Sequence, residues 1–419
     1  MTISSKTKKV LVLLIGEVLE DPRVYRTCMS LSTLGANVTV VCTNPSMRSE
    51  RENHRGVTII RFPHRRDFFI KRLYNRLQGV IRPDAGRVFS RIHEEVPSSS
   101  LTSALRNIVL SMNYRHFMRS NLKINHMMVK AFVGETFDLV HCNDVDTLYA
   151  GSELRRSGTA KTLLYDSHEY WPGIGVHGSA PNTAIFNLEK RGIKHADFII
   201  TVNPLIADKI QKLYGLKTQP SVVMNCPHIY TGPLKVDTVH SPVRVLYQGK
   251  VQAFRGLDKL LLAFKYIDGA ELTISGYGPL LERLQLLAAS EELSDRVHFT
   301  GRYEQDDTFP IIAEYDIGVL PFSAVTLNLE YTSPNKFFDY AMGGLAVAAS
   351  SLPFMRMMIE EHNMGRVFPR NDPESIAATL TDMISDTEKL KEYKKNARKT
   401  VEEHYYWEKQ FVNNYPWKP

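Results

Sequence analysis

The chain has 419 residues, 43% of them hydrophobic and 23% charged, with a formal net charge of +7. Such a length argues for two domains or more, and the composition is that of a globular protein, not of a disordered or fibrous one. No apolar run reaches the roughly 18 residues of a membrane-spanning helix, and Cys28, Cys42, Cys142 and Cys226 form no close pair, which excludes a disulfide scaffold and argues for reduced thiols in a cytoplasmic protein.

Residues 9–15 (KVLVLLI) are a near-continuous apolar run, the pattern of a strand buried on both faces of a parallel sheet. The basic start lacks a small-residue cleavage site, so the segment reads as a first strand and not as a signal peptide. Gly16 follows at the carboxyl end of that strand, where parallel sheets receive ligands. A helix from about 23 to 34, stopped by Gly35, and strands at 37–42 and 57–62 give the strand–helix–strand alternation of an α/β fold.

Residues 63–134 interrupt the alternation. From 61 to 134 there are fourteen Lys or Arg against four Asp or Glu, so the positive charge of the chain belongs to this region. Ile70, Leu73, Tyr74, Leu77, Val80 and Ile81 share one helical face, with Lys71, Arg72 and Arg76 elsewhere. Two readings stand side by side: Phe69, Ile70, Leu73 and Leu77 enter an anionic membrane surface, or the helix packs on the sheet and its basic face is solvated. For a second stripe, Leu105 to Phe132, packing is the better reading. A nucleic-acid partner is not indicated, because the basic residues come without a recognition motif.

The alternation resumes with a strand at 137–142, a helix at 146–157 and a strand at 161–166, directly followed by Ser167-His168-Glu169. A Gly-, Pro-, Ser- and Asn-rich loop at 173–182, a helix at 184–195, a strand at 197–202, a helix at 204–214 and a strand at 221–224 complete the first half. Residues 226–242 contain prolines and no periodicity, as an interdomain linker would.

The second half repeats the pattern. Strands at 243–247, 270–275, 296–300, 315–320, 345–349 and 366–368 alternate with helices at 256–266, 279–292 and before 315. Asp372-Pro373-Glu374 is a helix start, with Asp as cap and Pro at the first position. The tail, 387–419, reads as one more helix with an aromatic end. The expectation is two doubly wound, Rossmann-like α/β domains facing a cleft: 1–228 with the 63–134 insertion, 229–386, and a tail that packs back toward the first domain.

Four constellations fall at strand ends of this scheme. Gly249, Lys250 and Arg255 lie in a loop that opens a helix, and two cations with helix N-terminal amides suit a diphosphate. Gly276 and Gly278 form the turn GYGP. The stretch YTSPNKFFDYAMGG (331–344) places Ser333, Pro334, Asn335 and Lys336 in a turn before a helix that carries Asp339, an acceptor for a diol. The fourth is Ser167-His168-Glu169.

Taken in order, strand-G-x5-RG-helix, SGYGP, DIGVLPF and SPNKFFDYAMGG resemble the retaining glycosyltransferases of family 4, with the GT-B fold. EDPRVYR, FDLVHCND and YDSHEYW in the first half are similar to the same family, and the resemblance covers about 10–62 and 137–385. It implies that Lys250 and Arg255 bind the diphosphate of a nucleotide sugar. It implies further that Asp339 holds the ribose hydroxyls, that Ser333 to Lys336 present amides to sugar and phosphate, and that His168 faces the sugar. Gly16 would lie in the loop that approaches the donor. The first acid of the family's Glu-x7-Glu motif falls at Tyr331, one position from Glu330, which is the catalytic candidate beside His168. No metal or other cofactor is implied. The implied partners are a nucleotide sugar, UDP before GDP, and a glycan or lipid-linked acceptor. Arg302 and Tyr303 are candidates for the base side. The implied setting is bacterial-type surface polysaccharide synthesis in the cytoplasm, or peripherally at the inner membrane face. A non-catalytic partner or scaffold of a glycan-assembly complex is the alternative, carried by the displaced acid; an epimerase or phosphorylase lacks the carboxylates or the pyridoxal-binding context it needs.

Overall fold

A computed structural model describes residues 7–44, 48–64, 119–174, 180–303, 308–368 and 372–419. The membrane-face candidates Phe69, Ile70, Leu73 and Leu77 lie outside the described residues. Among those described, no helix is long and apolar enough to cross a membrane.

Two sheets organise the chain. The first has eight strands, β1 (Lys9–Leu13), β2 (Asn37–Asn44), β3 (Glu50–His54), β4 (Val57–Pro63), β5 (Leu139–Asn143), β6 (Leu163–Ser167), β7 (Phe198–Thr201) and β8 (Ser221–Val222). Their order is β3-β4-β2-β1-β5-β6-β7-β8. The second has β9 (Val243–Gln248), β10 (Ala270–Ser275), β11 (Val297–Phe299), β12 (Ile317–Leu320), β13 (Ala346–Ser350) and β14 (Gly365–Phe368), in the order β11-β10-β9-β12-β13-β14. The expected doubly wound α/β class is what is found. Among the parallel strands of each sheet the order reverses once, at β1/β5 and at β9/β12, and doubly wound sheets bind ligands beyond the strand ends at that point.

Local chemistry accounts for the elements. β1, β5, β12 and β13 are buried along almost their whole length, which is why they read as apolar runs. The first helix, Pro22–Thr33, starts where Asp21 accepts from the backbone N–H of Arg23 and Val24, with Pro at the first position. The helix at 119–132 buries Ile124, Met128 and Phe132, and Asn125 donates to the carbonyls of Asn121 and Asp146. Within the described part of that second stripe, from residue 119 on, Ile124, Met128 and Phe132 are core, as the packing reading expects; Leu105 to Phe117 lie outside the described residues. All four cysteines are buried and outside any disulfide; burial pushes the Cys42 thiol up to about 11 and the Cys142 thiol up to about 12.

Four elements differ from the sequence reading. β3 is antiparallel to β4 and was not expected: its residues, ERENH, are almost wholly exposed and carry no apolar alternation. A one-turn helix, Leu327–Glu330, and a full helix, Pro353–His362, fill stretches read as connections. The tail forms two helices, Thr387–Glu403 and Trp407–Asn414.

By contact density the chain divides into Met1–Ser167, Gly178–Ile199 and Trp417–Pro419 as one unit, and His168–His177 with Ile200–Pro416 as the other. His168 and Glu169 thus group with the second sheet, although the strand they follow belongs to the first.

Candidate active site at the carboxyl edge of the second sheet

Three loops at the carboxyl ends of β9, β10 and β12 are joined backbone to backbone. Gly249 N–H donates to the Ser275 carbonyl (2.9 Å), Val251 N–H to Tyr277 (2.9 Å), and Ser323 N–H to Phe254 (2.9 Å). Glycines permit this approach. A Cβ at Gly276 would lie 1.8 Å from the Gly249 oxygen, one at Gly278 2.1 Å from Val251 O, and one at Gly256 1.9 Å from Pro321 O. Gly256 also has φ +65, a left-handed conformation that favours glycine. Gly276 and Gly278 thus have a packing reason to be glycine.

The assembled loops carry the two expected cations. Lys250 is exposed, and Arg255 is half-buried with its guanidinium 4.3 Å from the centroid of the Phe322 ring. Among the described residues no ion pair joins either to a carboxylate. A cation seated on an aromatic face is oriented but not neutralised. The Lys250 carbonyl accepts from the Tyr247 hydroxyl (2.9 Å), whose pKa burial pushes up to about 12, so the phenol stays a donor.

The other wall is the 335–342 helix (Asn335–Met342). Phe337, Phe338, Tyr340, Ala341 and Met342 are all 0% exposed. The Tyr340 hydroxyl accepts from the Gln248 N–H at 2.7 Å and pins the helix to the end of β9. Gly318 on β12 makes room for the Tyr340 ring, since a Cβ there would lie 2.3 Å from it. Pro334 caps the helix without a side-chain hydrogen bond, leaving its first amides for other acceptors. Asn335 accepts from Asn225 (2.9 Å), and Lys336 Nζ lies 2.9 Å from Asp339 Oδ2. Asp339 therefore offers Oδ1 to a hydroxyl while Lys336 holds its other oxygen. Ser333 Oγ and Gln248 Oε1 are buried without a hydrogen-bond partner among the described residues. Orphaned atoms of this kind cost roughly 1–3 kcal/mol each unless something pairs them, and two at one sheet edge mark a place built for a polar ligand.

The segment after β6 docks beside this edge. Asn328 donates to Glu169 Oε2 (2.7 Å) and accepts from Tyr170 N–H (2.8 Å). A Cβ at Gly173 would lie 2.8 Å from Leu327 Cβ and 2.9 Å from Asn328 N, so the two segments touch. His168 and Glu330 are both half-buried here, and Glu330 ends the one-turn helix. Tyr331, where the resemblance expects an acid, is a packing residue: its carbonyl accepts from Asn203 (2.8 Å), and its ring lies under Lys209 Nζ (4.8 Å) and edge-on to Tyr170. Arg302 lies 5.8 Å from the Tyr277 ring centroid, and Tyr303 hydrogen-bonds to Thr300 (2.9 Å).

Gly16 belongs to the other unit, where its carbonyl accepts from Thr43 N–H beside β1. At the same edge Arg23 makes two hydrogen bonds to Asp166 (2.9 and 2.8 Å), both residues being buried. The Tyr165 hydroxyl donates to the buried Glu189 at 2.6 Å. Burial first, and then the Glu189 charge, push that phenol well above its usual range. Sequence reasoning missed Asp144 and Phe254, which sit at strand-end loops with positive φ (+61 and +69). Phe254 is also exposed. A left-handed backbone costs a bulky residue roughly 1–2 kcal/mol, and nothing in the one-dimensional pattern signals it. Asn328 was missed as well, since its partners lie far away in sequence.

Comparisons with known proteins agree with this geometry. Residues 21–226 match the family described as glycosyl transferase 4-like domain, and residues 235–400 match glycosyl transferases group 1. The lipopolysaccharide core biosynthesis glycosyltransferase LpsE of Rhizobium meliloti is 25% identical over 201 residues, which are 46% of this chain and 55% of that protein. The chain thus matches about half the length of that relative. Sucrose-phosphate synthase from Thermosynechococcus elongatus has a similar structure, with a TM-score of 0.67 at 17% identity over 97% of this chain and 96% of that one. HepE of Anabaena in complex with UDP gives a TM-score of 0.63 at 14% identity over 96% and 98%. With the two family matches covering the two halves in order, the chain belongs to the GT4-like glycosyltransferases of the GT-B fold.

Proposed function

We propose that the protein transfers a sugar from a nucleoside diphosphate donor, UDP before GDP, to a hydroxyl of a glycan or lipid-linked acceptor, with retention of the anomeric configuration and without a metal ion. The observation that carries this reading is the pair Lys250 and Arg255 at the switch point of the second sheet, with no carboxylate partner among the described residues. As the bond from the anomeric carbon to the diphosphate breaks, negative charge grows on the leaving oxygen. Arg255 seated on Phe322, the Lys250 ammonium and the uncapped amides of the 335–342 helix meet that charge. Asp339 Oδ1 and Ser333 Oγ take the ribose and sugar hydroxyls, and His168 and Glu330 face the reacting sugar. The acceptor oxygen bonds to the anomeric carbon on the side the diphosphate leaves, and its proton passes to the departing phosphate.

The UDP complex of HepE supports the donor class, and the name of the Rhizobium relative, a lipopolysaccharide core biosynthesis glycosyltransferase, supports a glycan acceptor of that kind. Sugar transfer from UDP- and GDP-sugars should fall at least a hundredfold in Lys250→Ala and in Arg255→Ala, a size typical of removing one donor to transition-state charge. Full activity in both variants overturns the diphosphate assignment. Nucleotide-sugar binding with no transfer to any acceptor would instead favour a scaffold.

A further inference from the structure

We infer that Phe254 is a platform for a pyranose ring of the acceptor, placed beside the diphosphate cations. The inference rests on the nucleotide-sugar reading above. Phe254 has φ +69 and is 54% exposed. Three neighbouring positions of the same joined loops, Gly249, Gly256 and Gly276, are glycine, yet the left-handed position at 254 holds a bulky aromatic residue. Water gains nothing from that ring, and Arg255 does not need it, because its guanidinium sits on Phe322. The loop cannot relax either: Ser323 N–H holds the Phe254 carbonyl, and Gly256 packs on Pro321. Strain fixed by the surrounding structure, at a ligand-receiving edge, marks a side chain presented for use.

The place selects the occupant. Tyr277 and Arg302 follow β10 and β11, whereas Phe254 is bonded to the loop after β12. The two aromatic surfaces therefore fall on opposite sides of the loop that carries Lys250. Placing the base on the Tyr277 side, near Arg302, is part of this inference, and it leaves the Phe254 side for the sugar end. Val325 and Leu327, 48% and 38% exposed, follow in the same β12 loop. A pyranose has one face of C–H groups that lies flat on an aromatic ring while its hydroxyls stay in water. An attacking hydroxyl must come close to the anomeric carbon, and Phe254 directly precedes the diphosphate cation Arg255 in the chain.

The test uses the full-length protein loaded with UDP, and saturation-transfer NMR with the methyl α- and β-glycosides of glucose, galactose and mannose, plus octyl β-glucoside. The ring C–H protons of at least one methyl glycoside should receive saturation from the native protein. The signal should drop to less than a third in Phe254→Ala and Phe254→Gly and persist in Phe254→Tyr and Phe254→Trp, with the UDP Kd unchanged within twofold. Phe254→Gly should also raise the Tm, since glycine adopts φ +69 freely; a residue kept for folding would lower it. No signal from any methyl glycoside, an undiminished signal in Phe254→Gly, or a lowered Tm overturns the inference. Saturation confined to the octyl chain identifies a lipid occupant instead, and a loss of UDP affinity identifies the donor; either result overturns it. A native protein that binds neither UDP nor GDP overturns the nucleotide-sugar reading itself, so the two failures are told apart.

Discussion

The two sheets share a strand order around their switch points but treat charge at the carboxyl edge in opposite ways. In the first, Arg23 is 2% exposed and held by two hydrogen bonds to Asp166, itself 0% exposed, with His141 Nε2 3.6 Å from the same carboxylate. In the second, Lys250 and Arg255 stand without a carboxylate among the described residues, Arg255 on the Phe322 ring. Strand order says where ligands enter each sheet; the pairing of charge says which edge accepts an anion. A cation already satisfied inside the protein is part of the fold, and one left on an aromatic face is available to a phosphate.

The largest expected effect breaks the closed edge. Arg23→Ala takes both guanidinium hydrogen bonds from the buried Asp166, and should destabilise the first unit by about 3–5 kcal/mol, read from its urea midpoint. A loss below about 1 kcal/mol would mean that the pair is not structural and that the contrast between the edges is empty.

A closed charge site at the other end of the second sheet sharpens the comparison. Lys394 Nζ lies 2.8 Å from Asp316 Oδ1, and the backbone N–H groups of His240 and Arg244 donate to Oδ2 (both 3.1 Å). Burial by itself would raise the Asp316 carboxyl. The Lys394 hydrogen bond and charge and the backbone donors outweigh it and hold the group below the usual carboxylate range. With the folded pKa below the unfolded one, its stabilisation is complete above about pH 4 and is lost as pH falls through the folded value. Asp316→Asn should therefore cost about 3 kcal/mol at pH 7 and flatten the acid-side loss of stability. An acid limb as steep as in the native protein would show that this carboxyl does not carry it.

Much of this arrangement was legible in the sequence. Strands such as β1, β5 and β12 announce themselves because burial on both faces demands an apolar run. Lys250 and Arg255 were legible as cations after such a strand. The 353–362 helix had a readable signal, with Pro353 at its start and Phe354, Met355, Met358 and Ile359 buried on one face. β3 had none, because an exposed edge strand is free to be charged throughout. The glycines read as turns, but the reason for Gly276 and Gly278, a backbone oxygen within 2.1 Å of any added Cβ, is tertiary. So are the Asn328 clamp on Glu169, the left-handed backbone of Phe254 and the Asp166 partner of Arg23, which lies 143 residues away along the chain.

The smallest expected effect on the fold falls on the two open cations. If they serve a ligand, removing both charges takes away no native ion pair. The double variant Lys250→Ala, Arg255→Ala should stay within about 0.5 kcal/mol of the native protein, allowing for the lost contact of Arg255 with Phe322. Its Tm should no longer rise with added UDP, whereas the native Tm should rise with concentration as any ligand bound only by the folded state requires. A loss comparable to that of Arg23→Ala would make Lys250 and Arg255 structural too, and the two edges would then differ in geometry but not in purpose.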